Sequence, residues 1–313
     1  NGHFPAGQNP ARFATKAPKA GAKGRMGMAE VLKIGNRRWG IGVLLAVGVL
    51  VNYLDRISIS VAAPQLQKEL NLSSEQIGLL LSAFFWSYSL AQLPSGMLLD
   101  RFGVTRVGRV GAFLWTVAST LTALSTGYLG IFVARMLLGV AEAPGMISCQ
   151  KATGYWFPRH ERSRSTAVFD SAAKFANVIG VPLVAFFVVR FGWRWGFGIT
   201  AMMSIAYFFA YWILYRDPSQ DKKLGAAEHT YILAGGAVKE GPSGIGQINM
   251  LGYVLRNRKV WAHTIGYSAY GYSFYLFLTW LPGYMVQTLH MTILKSAAFT
   301  IIPWMCASLA DLL

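Results

Sequence analysis

From Trp39 onward, apolar residues fall into stretches of about 20, separated by short polar turns. That is the helix length needed to cross a hydrocarbon core about 30 Å thick. The pattern predicts eight spans, at roughly 40–63, 76–98, 107–125, 128–150, 165–189, 197–215, 261–285 and 293–313. The run Asn71 to Gln76 offers Ser73 as an N-cap and Gln76 for a capping box, and Pro64 is expected where the first span leaves the membrane. Gly42, Gly48 and Gly139 would allow close helix approach. One connection stands out, because the segment from Arg216 to Lys259 is long, polar and of mixed charge.

Six spans, a linker and then further spans is the pattern of a carrier built from two six-helix halves. The expected organisation is a disordered basic tail over 1–38 and an N-terminal six-helix bundle over 39–215. A cytoplasmic linker over 216–259 and the first helices of a C-terminal bundle over 260–313 follow. The chain opens on Asn, so Met26 or Met28 is read as a candidate start. Leu313 lies inside an apolar run, so the C-terminal bundle is expected to be incomplete.

Composition agrees with a membrane protein: 54% of the 313 residues are hydrophobic and only 13% charged, against about a quarter charged in soluble domains. The net charge of +16 would suit nucleic acid, but its distribution points elsewhere. Lys and Arg number eight in the tail, three at 100–109, four at 151–164 and seven at 216–259. The opposite loops hold Lys68, Arg190, Arg194 and Lys295 alone. This asymmetry predicts a cytoplasmic N-terminus in a multi-pass cell (inner) membrane protein, its basic excess facing lipid headgroups. Cys149 and Cys306 are too few for a disulfide framework or a thiolate metal site. No His/Cys cluster, nucleophile triad or phosphate loop stands out, so neither enzyme activity nor a cofactor or metal is expected.

Six charged residues interrupt the spans: Asp55, Arg56, Arg135, Glu142, Asp170 and Lys174. An ionised side chain mid-bilayer costs at least ~2.5 kcal/mol, so such groups usually face a polar cavity and a partner. At 1.5 Å per residue, Asp55 lies ~22 Å along the first span and Arg135 ~10 Å from the far surface, at a similar level. Glu142 lies two turns further, ~10 Å deeper. One cluster of Asp55, Arg56 and Arg135 is therefore expected, with Glu142 a separate acid. Its surplus positive charge suits a carboxylate, which a guanidinium holds in bidentate fashion. An acid beside Arg stays ionised, whereas an isolated acid in low dielectric takes a proton more readily. Glu142 thus reads as proton carrier and Asp55 as switch. Asp170 and Lys174, four residues apart, make either a self-neutralising intrahelical pair or, through Lys174, a second cation for a dicarboxylate. Tyr88 with Gln92, and Tyr272, Tyr275 and Thr279, share helix faces and could bind the hydroxyls and skeleton of a polyol acid.

The stretch Gly96-Met97-Leu98-Leu99-Asp100-Arg101-Phe102-Gly103-Val104-Thr105-Arg106 resembles the loop between the second and third helices of the major facilitator superfamily. NYLDR in the first span, RMLLGVAEAP from Arg135, YWFPRHER from Tyr155, GWRWGF and FLTWLPGY resemble its anion:cation symporter family. That family includes sugar-acid:proton symporters for hexuronates, aldarates and galactonate, and animal phosphate, sialic acid and glutamate carriers. The resemblance implies an all-α polytopic fold of twelve helices, with a cytoplasmic gate at Gly96, Asp100, Arg101, Gly103 and Arg106. It also implies proton coupling by the acids of helices one and four, Asp55 and Glu142, and anion recognition by arginines. Asp170 and Lys174 depart from it, since small or polar residues are usual there. Gln150 and Lys151 stand where Asn and a basic residue are frequent. The expected activity is proton-coupled symport of an organic anion by a monomeric secondary carrier. An exchanger or uniporter of the same fold, a membrane sensor and a membrane-bound enzyme are the alternatives.

Overall fold

The computed structural model describes residues 34–241, 252 and 254–312. Most of the expected tail, residues 1–33, and the linker residues 242–251 and 253 lie outside them. The helical body is Gly35–Leu313; of the unit before it, only Ile34 is among the described residues.

The described body is all-helical. In chain order its helices are α1 (Arg37–Glu69), α2 (Ser74–Leu124), α3 (Tyr128–Trp156), α4 (Arg162–Phe191), α5 (Trp193–Leu214), the short α6 (Ala226–Ala234), α7 (Arg258–Gln287) and α8 (Ile293–Leu312). All the long ones except α7 are long and apolar enough to cross a membrane. α7 has 30 residues, enough for a span by length, but Tyr, Ser and Gly residues interrupt its apolar run. α1 continues past Pro64 to Glu69.

α2 holds 51 residues, ~75 Å at the helical rise and far more than one span needs. It is two arms, 74–102 and 104–124, divided at Gly103, whose φ of 81° and ψ of 166° only glycine adopts readily. The arms match the expected spans 76–98 and 107–125. The first arm starts on the expected capping box: Ser73 Oγ accepts from Gln76 N at 3.2 Å, and Gln76 Oε1 accepts from Ser73 N at 2.9 Å.

α1 is the central element, packed on α4, α5, α3 and α7. α2 lies along α3 and α5, and α4 along α8. Gly139 lets α3 approach α2 closely, since a Cβ there would collide with Ser87 and with the carbonyl of Phe84. The core is closed by Phe84, Trp156 and Trp193, each nearly inaccessible.

The described start of the linker is docked on one end of the bundle. Asn36 makes no side-chain cap at the start of α1. The orphan N–H groups there are taken by Glu228 of α6, which accepts from Arg37 N at 3.1 Å and Arg38 N at 3.0 Å. Glu228 also takes Arg38 Nη1 at 3.0 Å, while Arg38 Nε reaches Glu161 at 2.8 Å. Arg37 pairs with Asp221 at 2.7 Å. Glu228→Ala strips two helix N–H partners and one buried ion pair, and is expected to lower stability by about 2 kcal/mol. A reduced melting temperature in detergent, with faster proteolysis between α5 and α7, is the measurement.

Candidate functional site

Asp55 and Arg56 are neighbours on α1, so their side chains leave the helix about 100° apart. Both are buried, and they enter different surroundings. Asp55 Oδ2 accepts from Trp115 Nε1 at 2.5 Å, Ser119 Oγ at 2.9 Å and Ser204 Oγ at 2.8 Å. It sits between the second arm of α2 and α5, and no cation pairs with its carboxylate among the described residues. Arg56 turns the other way. Its Nε donates to Glu142 Oε2 at 3.0 Å, and its Nη1 donates to Tyr275 Oη at 3.2 Å. The guanidinium lies over the rings of Tyr88, Tyr53 and Phe84 at 4.6, 4.8 and 4.9 Å.

The expected grouping is therefore corrected. Asp55, Arg56 and Arg135 do not form one charged cluster, and Glu142 is not an isolated acid. Arg56 and Glu142 are the ion pair. Arg135 meets Asp55 only through the main chain, its Nη1 donating to the Asp55 carbonyl at 3.1 Å, and lies over Phe84 at 5.1 Å. Similar depth along two helix axes set the right level but not the direction in which each side chain leaves its helix.

Tyr88, Tyr272, Tyr275 and Thr279 line one groove of about 500 Å³ between the first arm of α2 and α7, with Phe85 and Trp280. Two of these, Tyr88 and Tyr275, also touch Arg56, so the buried ion pair stands directly behind the groove wall. Gln92, one turn beyond Tyr88, is half-buried and is not among the lining residues.

Lys174 is ion-paired with Asp311 of α8, across the α4–α8 contact. This corrects the intrahelical pair expected with Asp170. Asp170 instead lines an open cleft with Arg162, Thr166 and Asp311. The ammonium of Lys174 is thus already neutralised by a carboxylate.

The five expected gate residues surround the break in α2. Asp100 is ion-paired with Lys151, which ties α2 to α3. Arg101 lies over the Phe102 ring at 5.3 Å, and Arg106 is exposed. Gly96 is half-buried, and Gly103 supplies the bend itself.

Sequence reasoning missed Trp115, Ser119 and Ser204 as the partners of Asp55, and Tyr53 and Phe84 as walls around Arg56. Trp115 and Ser119 stand four apart in the third span, a one-face spacing that a search for donors opposite a buried acid would have found. Nothing in the sequence pointed to Asp311.

Membrane-length helices closing around buried charges and an aromatic groove describe a polytopic membrane protein. The chain belongs to the Major Facilitator Superfamily, whose model matches residues 45–311. It is 39% identical over 294 residues to the uncharacterized transporter YybO of Bacillus subtilis, covering 92% of this chain and 66% of that protein. The galacturonate transporter of Dickeya chrysanthemi is 30% identical, with 90% and 82% covered. The D-galactonate transporter of Escherichia coli O6:H1 is 28% identical, with 90% and 67% covered. The chain thus spans about two thirds of the length of YybO. Among solved structures, a bacterial homologue of the human lysosomal transporter Spinster, inward-facing and unoccupied, superposes with a TM-score of 0.65. The match covers 85% of this chain and 60% of that one at 15% identity. A D-xylose-proton symporter gives a TM-score of 0.57 over 86% and 66% at 16% identity. At these identities the two structures share the fold.

Proposed function

We propose that this chain belongs to a proton-coupled secondary carrier for an organic anion, a sugar acid or a related carboxylate. It works by alternating access in the cell (inner) membrane, with its N-terminus in the cytoplasm. The observation that carries this reading is the position of Arg56. A guanidinium held by one carboxylate, boxed by aromatic rings and set behind the tyrosines of a groove is a site for exchanging one carboxylate partner for another. The names of the galacturonate and D-galactonate relatives support a sugar acid as cargo.

In this mechanism Glu142 is both proton carrier and switch; the switch role expected of Asp55 passes to it because Glu142 is the acid paired with Arg56. A proton taken by Glu142 cancels its charge and leaves Arg56 without a counter-ion in a low-dielectric site, where an anion from the groove replaces it. Tyr88, Tyr272, Tyr275 and Thr279 supply hydroxyls and ring faces to the carbon skeleton. Asp55 is a second, separately housed acid for coupling. Lys174 serves a dicarboxylate only if Asp311 releases it. The loop at Gly96, Asp100, Arg101, Gly103 and Arg106, tied through Lys151, opens and closes one end of the path. A six-helix bundle over 39–215 rocking against the helices from 260 onward would expose the groove to each side in turn.

The test is ligand-linked stabilisation of the purified full-length carrier across sugar acids, aromatic acids and neutral sugars. Sugar acids alone should raise the melting temperature. Stabilisation by neutral sugars but not by acids would overturn the reading. Proton flux recorded with uptake in liposomes separates symport from exchange or uniport.

A further inference from the structure

Glu142 presents two carboxylate oxygens to two different places. Oε2 accepts from Arg56. Oε1 is buried without a protein partner among the described residues, and an unpaired buried acceptor is costly. A second orphan lies one to two turns along α3, where Ser148 Oγ is also buried and unpartnered. Both residues line one cavity, walled also by Arg56, Trp115, Cys149, Tyr207 and Tyr211. Its free space of about 60 Å³ has room for roughly two waters at ~30 Å³ each.

The cavity has a direction. From Glu142 it follows α3 towards its C-terminal end at Cys149, α1 towards its beginning at Leu45, and the second arm of α2 towards Gly108. On α5 it passes Tyr207 and reaches Tyr211, near the C-terminal end. Tyr211 Oη donates to the carbonyl of Val104 at 3.3 Å, beside the Gly103 break. All four helices therefore lead to the same end of the bundle. Arg56 lines the cavity, whereas the tyrosines it touches, Tyr88 and Tyr275, line the groove, and the two linings share no residue. Asp55 is shut out of the cavity, since the Trp115 indole that walls it donates outward to Asp55 Oδ2.

We propose that this cavity is a hydrated proton antechamber. Its waters hydrogen-bond Glu142 Oε1 and Ser148 Oγ and carry protons between Glu142 and the Gly103 end of the bundle, apart from the anion's groove. In the discharging step the Oε1–H bond breaks, the proton passes to the nearest chamber water, and the electron pair stays on a carboxylate that Arg56 holds through Oε2. Ser148 is a positioning residue for these waters. The charged groups near enough to act on Glu142 are Arg56 and, through space, Asp55 from α1 and Arg135 from its own helix, and Tyr53, Tyr88 and Tyr275 surround Arg56. This inference rests on the reading of Glu142 as the proton carrier.

The test uses the full-length carrier in proteoliposomes. Ala112 lines the cavity, so Ala112→Leu fills it, while Ser148→Ala removes the hydroxyl without changing the shape. Each should slow proton-driven uptake about tenfold, with substrate counterflow within about twofold of the parent. Retained counterflow is the check on folding, and Ser148→Ala decides alone if Ala112→Leu does not fold. The antechamber is overturned if the folded variants keep proton-driven uptake within about twofold while Glu142→Gln abolishes it. If Glu142→Gln itself leaves proton-driven uptake intact, the reading of Glu142 fails instead.

Discussion

Arg56→Lys is expected to abolish substrate binding while leaving the carrier folded. Lysine keeps the positive charge opposite Glu142, so no acid is stranded in the core. It cannot reproduce the planar fork, which offers Nε to Glu142 and Nη1 to Tyr275 while its face lies over Tyr88, Tyr53 and Phe84. An ammonium is a compact, strongly hydrated point charge without bidentate geometry. A drop in affinity of about 100-fold follows from losing two charge-assisted bonds to a carboxylate. Loss of sugar-acid thermal stabilisation and of counterflow, with the melting temperature of the ligand-free protein nearly kept, is the expected pair of results. Arg56→Ala is the contrast. It leaves Glu142 buried and unpaired, a change that destabilises by about 3–5 kcal/mol, so the carrier should express poorly. If Arg56→Lys transports as the parent does, the guanidinium is not the anion's anchor.

Sequence carried a large part of this architecture and little of the pairing inside it. Spans were legible because each had to supply about 20 apolar residues by itself, a local requirement. The arms of α2 were separable because the charged stretch from Asp100 to Arg106 interrupts the apolar runs on either side. α7 was legible over 261–285 in the same way, although its tyrosines and serines dilute its apolar character. Buried charge was equally visible, because Asp55, Arg56, Arg135 and Glu142 each stand out in an apolar run. Their partners were not. Depth along an axis follows from counting residues, but the direction of a side chain depends on how the helix is rotated against its neighbours. That rotation separates Asp55 from Arg56 and sends Asp55 to Trp115, Ser119 and Ser204. Lys174 shows the limit most clearly, since its ion partner, Asp311, lies 137 residues away. An i,i+4 rule finds Asp170 and has no access to that contact.

Glu142→Gln separates proton coupling from anion handling more cleanly than any other single change. Glutamine fits the same space and still accepts from Arg56 Nε through its amide oxygen, but it can neither bind nor release a proton in the physiological range. The variant is a permanent copy of the protonated state, with Arg56 always free of its counter-charge. Anion binding should therefore persist, and counterflow exchange, which needs the loaded carrier to reorient but no net proton movement, should continue. Uptake driven by an inward proton gradient should fall by about 100-fold, and the remainder should no longer respond to the gradient. Ligand-linked stabilisation should also change its response to pH. Where Glu142 titrates in the parent, anion binding weakens as pH rises, because the carboxylate regains Arg56. In Glu142→Gln that dependence should flatten. Loss of counterflow together with driven uptake would mean that Glu142 supports the structure of the site instead of coupling it. An unchanged pH response would move the coupling proton to the other buried acid, Asp55, which Trp115 separates from the chamber.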